Sequence, residues 1–253
     1  MVMDQKCLNC HEIFQSKFCP NCGQSAKTHR FSLKMFFTEV FINGVFQIDK
    51  GFFYTFKELF FRPGHNIRAY VDGSRVNHFN YFTFIVLLIT IGHLLAGTLH
   101  FELIDATHYF SQDQSLLKRF GEITREHPKL FTLLKIPFLS IVSMMIFRNA
   151  RLHYTEHLVL NIYKLSAEII LAIFLSLLST FFAVKYANVF QALVAGLSVL
   201  YSIGFYYQYF SVYGYSKPEL FARSVIATLL LFMLAAAIST FVIGVQDGFN
   251  DGK

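Results

Sequence analysis

"YTEHLVLNIYKLSAEIILAIF", residues 154–174, decides how the rest of the chain is read. The apolar stretch it opens runs from Leu158 to Val184, enough for a hydrocarbon core about 30 Å thick, which takes roughly 20 helical residues. Yet His157, Asn161, Lys164 and Glu168 interrupt it at intervals of 4, 3 and 4. On an ideal helix they fall within about 60° of one another, and Tyr154 extends the ridge. Ionisable groups at membrane depth are costly unless paired or hydrated, so the ridge is expected to face other helices or water, never lipid. Lys164 and Glu168, one turn apart, suit an ion pair. Two readings follow: a path for a substrate or protons, or a hydrogen-bonded seam that fixes helix packing. Expected partners are Gln191, Ser198, Ser202 and Tyr209, which share a face of the next apolar stretch, and His93, the lone ionisable group of the first.

Working outward, the composition agrees with a membrane solvent. Of 253 residues, 54% are hydrophobic, 31 are Phe and 15% are charged. Besides Leu158–Val184, the stretches Tyr81–Leu99, Leu130–Phe147, Val189–Phe210 and Phe221–Val245 approach spanning length, so about five transmembrane helices are expected. Lys135 and Pro137 fall in the opening third of their stretch, where both are tolerated. The net charge of +6 fits the basic flank of a membrane protein, and nucleic acid is discounted as a partner. With Lys135 and Lys164 set aside, 14 basic residues flank one side and 6 the other, which predicts a cytoplasmic amino terminus and an outside carboxyl terminus. Residues 1 to 30 lack the apolar core of a secretory signal, so this end is expected to stay where it was made.

That end reads "CLNCHEIFQSKFCPNCG", residues 7–23. Cys7 with Cys10, and Cys19 with Cys22, form two C-x2-C hooks whose four thiolates suit a tetrahedral Zn2+ ion, with iron as the other thiolate metal. So short a peptide buries too little apolar surface to fold alone, and metal binding is expected to supply most of its folding energy. The reducing cytosol argues against disulfides. Four sulfurs close the shell, so His11 is read as solvated or as lying just beyond it. A closed site is structural, since it offers no open position to a substrate.

Between the hooks and the first apolar stretch, residues 31–64 are rich in Phe but broken by charges. Phe36, Phe37, Val40 and Phe41, then Phe52, Phe53, Phe56, Leu59 and Phe60, recur at helical spacing. They predict amphipathic helices at the bilayer interface or packed on the bundle. Arg62, Arg68 and Arg75 follow, read as contacts to anionic headgroups or to another phosphate-bearing group. "HYTEH", residues 153–157, matches the inverted zinc-peptidase signature H-x-x-E-H, but no third ligand presents itself.

The order "CLNCHEIFQSKFCPNCGQ", "RPGHNIRAYVDGSRVNHFNYFTFIVLL", "YTEHLVLNIY" and "YGYSKPELFARS" resembles bacterial membrane proteins grouped as domain of unknown function 3667. The resemblance rests on Arg62-Pro63-Gly64, Arg68, Tyr70, Gly73, Arg75 and Glu156-His157. It implies a bacterial inner membrane setting and the same architecture, with no assigned reaction, and it makes His153 of "HYTEH" incidental.

The expectation is therefore an all-α polytopic membrane protein. Residues 1–30 form a cytosolic zinc ribbon, 31–80 interfacial helices with a basic pre-membrane segment, and 81–253 a transmembrane bundle. The metal ligands are Cys7, Cys10, Cys19 and Cys22, and Glu156, His157, Asn161, Lys164 and Glu168 form an intramembrane polar site. The leading function is a non-enzymatic membrane module whose ribbon docks a cytosolic protein or steadies the bundle. Transport of a small solute or lipid along the ridge comes second, and a membrane metallopeptidase third.

Overall fold

The computed structural model describes residues 4–28, 31, 51–99, 128–181 and 187–250. The expected helical pattern around Phe36 to Phe41, the loop 100–127 and Lys185 lie outside them. Two short antiparallel strands, β1 (Gln5–Lys6) and β2 (Ile13–Phe14), pair Gln5 with Phe14 and Lys6 with Ile13. Among the described residues seven helices follow: α1 (Gly51–Phe61), α2 (Pro63–Val71), α3 (Tyr81–Leu99), α4 (Pro128–Ile146), α5 (Tyr154–Ser179), α6 (Ala187–Phe210) and α7 (Lys217–Asn250). A 3-10 turn at Arg148–Ala150 joins α4 to α5.

Local chemistry sets several boundaries. Pro63 opens α2, where its fixed φ is already helical and its missing N–H costs nothing. The Asn80 side chain accepts from the Phe82 and Thr83 amides at 2.9 and 3.3 Å and so caps the start of α3. Glu156 Oε2 accepts from the His153 amide at 2.7 Å and fixes the first turn of α5.

Helix α5 is the axis of the fold, packing against α1, α2, α3, α4 and α6. Around it lies an aromatic core that includes Phe31, Tyr81, Phe84, Phe147, Tyr163, Phe205, Tyr206 and Phe210. Phe147 and Phe210 stack face to face at 3.8 Å, and the buried Tyr163 hydroxyl donates to the Phe79 carbonyl. Helix α2 crosses α6 at Gly64, where a Cβ would come within 2.3 Å of the Tyr209 nitrogen. Only a glycine allows that approach.

One expectation is corrected. Among the described residues a single helix, Tyr154–Ser179, is long and apolar enough to cross a membrane by length and composition, in place of the five transmembrane helices expected. The apolar runs Tyr81–Leu95 and Leu133–Ile146 are shorter than the roughly 20 residues a crossing takes. Even in the qualifying helix 61% of the apolar window is buried inside the protein. Hydropathy registers apolar surroundings, and here protein neighbours supply many of them.

Polarity on the outside runs against ordinary globular habit. Leu134, Phe138, Ile141 and Met145 line an exposed stripe of α4, and Phe221, Ile226, Leu229, Leu230 and Met233 are exposed on α7. Ser140, Ser143, Ser202, Ser224 and Thr228 are meanwhile buried. Ser140, Ser224 and Thr228 donate to carbonyls one turn back in their own helices. On α1, Phe53 and Phe61 are 75% and 73% exposed while Thr55, Glu58 and Leu59 point inward, so the helix is amphipathic with an aromatic outer face.

Candidate metal centre

The two hooks fold as near copies. In the first, the Asn9 amide faces Cys7 Sγ at 3.4 Å and the His11 amide donates to the Cys7 carbonyl at 3.0 Å. In the second, the Gly23 amide donates to the Cys19 carbonyl at 2.8 Å. Each hook closes with one residue in the left-handed region, Gly23 at φ 77° and His11 at φ 64°. Glycine is the natural occupant of that position, so the imidazole's place here is a backbone matter. The His11 side chain is exposed.

The result brings all four sulfurs within 4.8 Å of one another. Cys7 lies 3.5 Å from Cys22 and Cys10 lies 3.4 Å from Cys19, sulfur to sulfur, and all four are free thiols. A zinc ion at about 2.3 Å from each of four sulfurs would hold them roughly 3.8 Å apart, so the donor set fits the ion in kind and in spacing. Among the described residues this is the one group of His, Cys, Asp or Glu side chains able to hold a metal. Burial pushes the Cys7 thiol up, but the amides of Cys10 and Asn9 and the thiols of Cys22 and Cys10 outweigh it, bringing it down to about 7. Burial dominates at Cys19 and pushes its thiol up to about 11, against the Cys22 and Asn21 amides.

The ribbon does not stand alone. It sits on the turn between α2 and α3, whose Gly73 has φ 114°. Buried Gln24 donates from Nε2 to the Gly73 carbonyl at 2.7 Å and accepts the Arg75 amide at Oε1 at 3.2 Å. Ser74 Oγ donates to Asn9 Oδ1 at 2.5 Å. A Cβ on Gly73 would stand 2.6 Å from Leu8 Cδ1, so glycine is needed for both the backbone angle and the approach. Leu8, Asn9, Gln24 and Ser74 carry no metal-site or membrane signature, and sequence reasoning passed over their contact.

The three arginines after α1 have partners inside the chain. Arg62 pairs with Glu58 at 3.1 Å on the surface. Arg68 donates from Nη1 to the Gln208 and Tyr209 carbonyls at 3.1 and 2.8 Å, satisfying the last turn of α6. Arg75 lies over the Phe31 ring at 3.9 Å.

The ridge on α5 is a bonded cluster. Asn161 Nδ2 reaches Ser143 Oγ at 2.9 Å and the His157 carbonyl at 2.8 Å, and Asn161 Oδ1 accepts from Tyr206 at 2.6 Å. His157 Nδ1 lies 3.0 Å from Ser143 Oγ. Lys164 meets Glu168 at 2.6 Å, and Ser202 donates to the same carboxylate oxygen at 2.5 Å. Ser202 is an expected partner; Ser143, Tyr206 and Ser140, whose Oγ accepts from Asn161 Nδ2 at 3.3 Å, are not. His93 is exposed. Of "HYTEH", Glu156 is spent on the helix start and His157 on Ser143, and the three form no metal-holding group.

Residues 49–92 match the model of a family described as protein of unknown function (DUF3667). The matched stretch spans α1, α2, the turn that seats the ribbon, and most of α3. No curated protein and no solved structure matches the chain.

Proposed function

We propose that the chain is a non-enzymatic, membrane-associated module in which a zinc-held ribbon steadies the helices by clamping the α2–α3 turn. One observation carries this reading: Gln24, two residues past the last metal ligand, bonds both Gly73 and Arg75 from a buried position. Zinc supplies no reaction there. It supplies the folding energy that holds Gln24, Asn9 and Leu8 in register against the turn. Membrane association, with the bacterial inner membrane as the setting, draws on the membrane-length helix α5 and on the exposed apolar faces of α1, α4 and α7. The bonded state of the α5 ridge favours a packing seam over a route for solute.

Hydrogen exchange on the full chain, with and without a chelator and in a Cys19→Ser variant, tests the clamp. Metal removal is expected to deprotect residues 63–80 together with the ribbon. Deprotection confined to residues 4–28 would instead mark an independent ribbon, available to dock a cytosolic protein.

A further inference from the structure

A cleft of about 340 Å³ opens beside the α4–α5 junction, lined by Met144, Met145, Phe147, Arg148, Leu152 and His157. It is separate from the metal centre, and its volume is at the low end for small-molecule sites. Its chemistry is divided. Met144, Met145, Phe147 and Leu152 make an apolar wall, while Arg148 is exposed and its guanidinium forms no ion pair or hydrogen bond among the described residues.

His157 supplies the second polar group. Its residue is 1% exposed and its Nδ1 is engaged by Ser143, but no donor or acceptor among the described residues meets Nε2. With the Ser143 hydroxyl donating to Nδ1, the ring carries its proton on Nε2, and that N–H and the Arg148 guanidinium, both lining the cleft, suit a ligand with an anionic oxygen head. The thioether and aromatic wall asks for a flexible apolar chain. We infer that this cleft binds a single-chain carboxylate amphiphile, with its head between Arg148 and His157 and its chain along Met144, Met145 and Leu152. The exposed apolar stripe of α4 continues from Met145 and gives such a molecule a route in from an apolar phase.

Photolabelling tests the site, using the full chain in lipid nanodiscs and dodecanoate carrying a diazirine at its chain end. Adducts mapped by peptide mass spectrometry are expected on the segment 144–152, displaced by excess dodecanoate and not by dodecyltrimethylammonium. Arg148→Gln, at an exposed position that leaves the fold intact, is expected to weaken labelling about tenfold, the scale of one charge-assisted hydrogen bond. Leu152→Trp, which fills the cleft from its wall, is expected to abolish it. Equal labelling in Arg148→Gln, displacement by the cationic chain, or adducts spread over the outer faces of α4 and α7 would overturn the assignment.

Discussion

The Arg68 guanidinium lies 2.8 Å from the carbonyl oxygen of Tyr209, joining residues 141 positions apart in the chain. A second bond from the same nitrogen reaches Gln208, so one cation answers two carbonyls at the end of α6 and also opposes the negative end of its dipole. Arg223 answers one carbonyl at the end of α4, donating to Ile146 at 2.5 Å.

Replacing Arg68 by Ala is expected to cost about 2 kcal/mol, because charged donors to otherwise orphaned carbonyls are worth more than neutral ones. Arg68→Lys should recover less than half, since an ammonium lacks the planar fork. Thermal unfolding of the three proteins side by side checks the order. Equal stability of the Ala variant and the wild type would show that water replaces the guanidinium without loss.

The two hooks carry different residues at the left-handed position, His11 in one and Gly23 in the other, which gives a paired experiment. His11→Gly relieves a left-handed backbone angle at a non-glycine residue, a strain of about 1 to 2 kcal/mol offset partly by the freer unfolded chain. Gly23→Ala introduces the same strain. Zinc affinity measured by chelator competition is expected to rise a fewfold for the first and to fall for the second, if, as proposed, metal binding supplies the ribbon's folding energy.

The pair Lys164–Glu168 is largely enclosed, with side-chain exposures of 5% and 14%. Glu168→Gln strands a buried ammonium and is expected to destabilise by about 3 kcal/mol or more. Adding Lys164→Met should restore most of that, because two apolar or neutral groups of similar shape need no countercharge. Denaturant midpoints for both single variants and the double variant close the cycle. A double variant as unstable as the sum of the singles would show that the two residues act separately.

His78 gives a pH signature away from the metal. Burial pulls its imidazole down to about 4, although Asn66 Oδ1 lies 2.8 Å from Nε2. The folded value lies below the unfolded one, so the unfolded chain binds the extra proton. Stability is therefore full above about pH 6.5 and is lost as pH falls toward 4, by up to about 3 kcal/mol. His78→Gln, which keeps a polar group near Asn66, should flatten that part of the stability curve. An unchanged slope in the variant would assign the acid sensitivity to other groups.

The features legible in the sequence are those whose chemistry fixes a spacing. Two C-x2-C hooks bring four sulfurs together because a short chain has few ways to turn, and the 4-3-4 interval of the α5 ridge is helix geometry written in polar residues. The partners of that ridge were harder to see. Ser140 and Ser143 are small residues in an apolar run and look like any other packing positions, and Tyr206 sits among several tyrosines of α6. The number of membrane crossings was overread for a related reason: an apolar residue reports that water is absent and does not say whether lipid or protein takes its place. Gly73 belongs to a sequence pattern, but the need for glycine there comes from Leu8 lying against it.

The clamp also carries an order of assembly. Gln24 precedes Gly73 by 49 positions, so a ribosome completes the four-cysteine hook well before it makes the seat. At about 5 to 20 residues per second the gap lasts roughly 2 to 10 seconds, ample for a nascent hook to take up its ion. On the proposed zinc-held clamp, the ribbon would then meet the emerging turn as a finished part, and a nascent chain starved of zinc would reach the same moment with nothing to offer it.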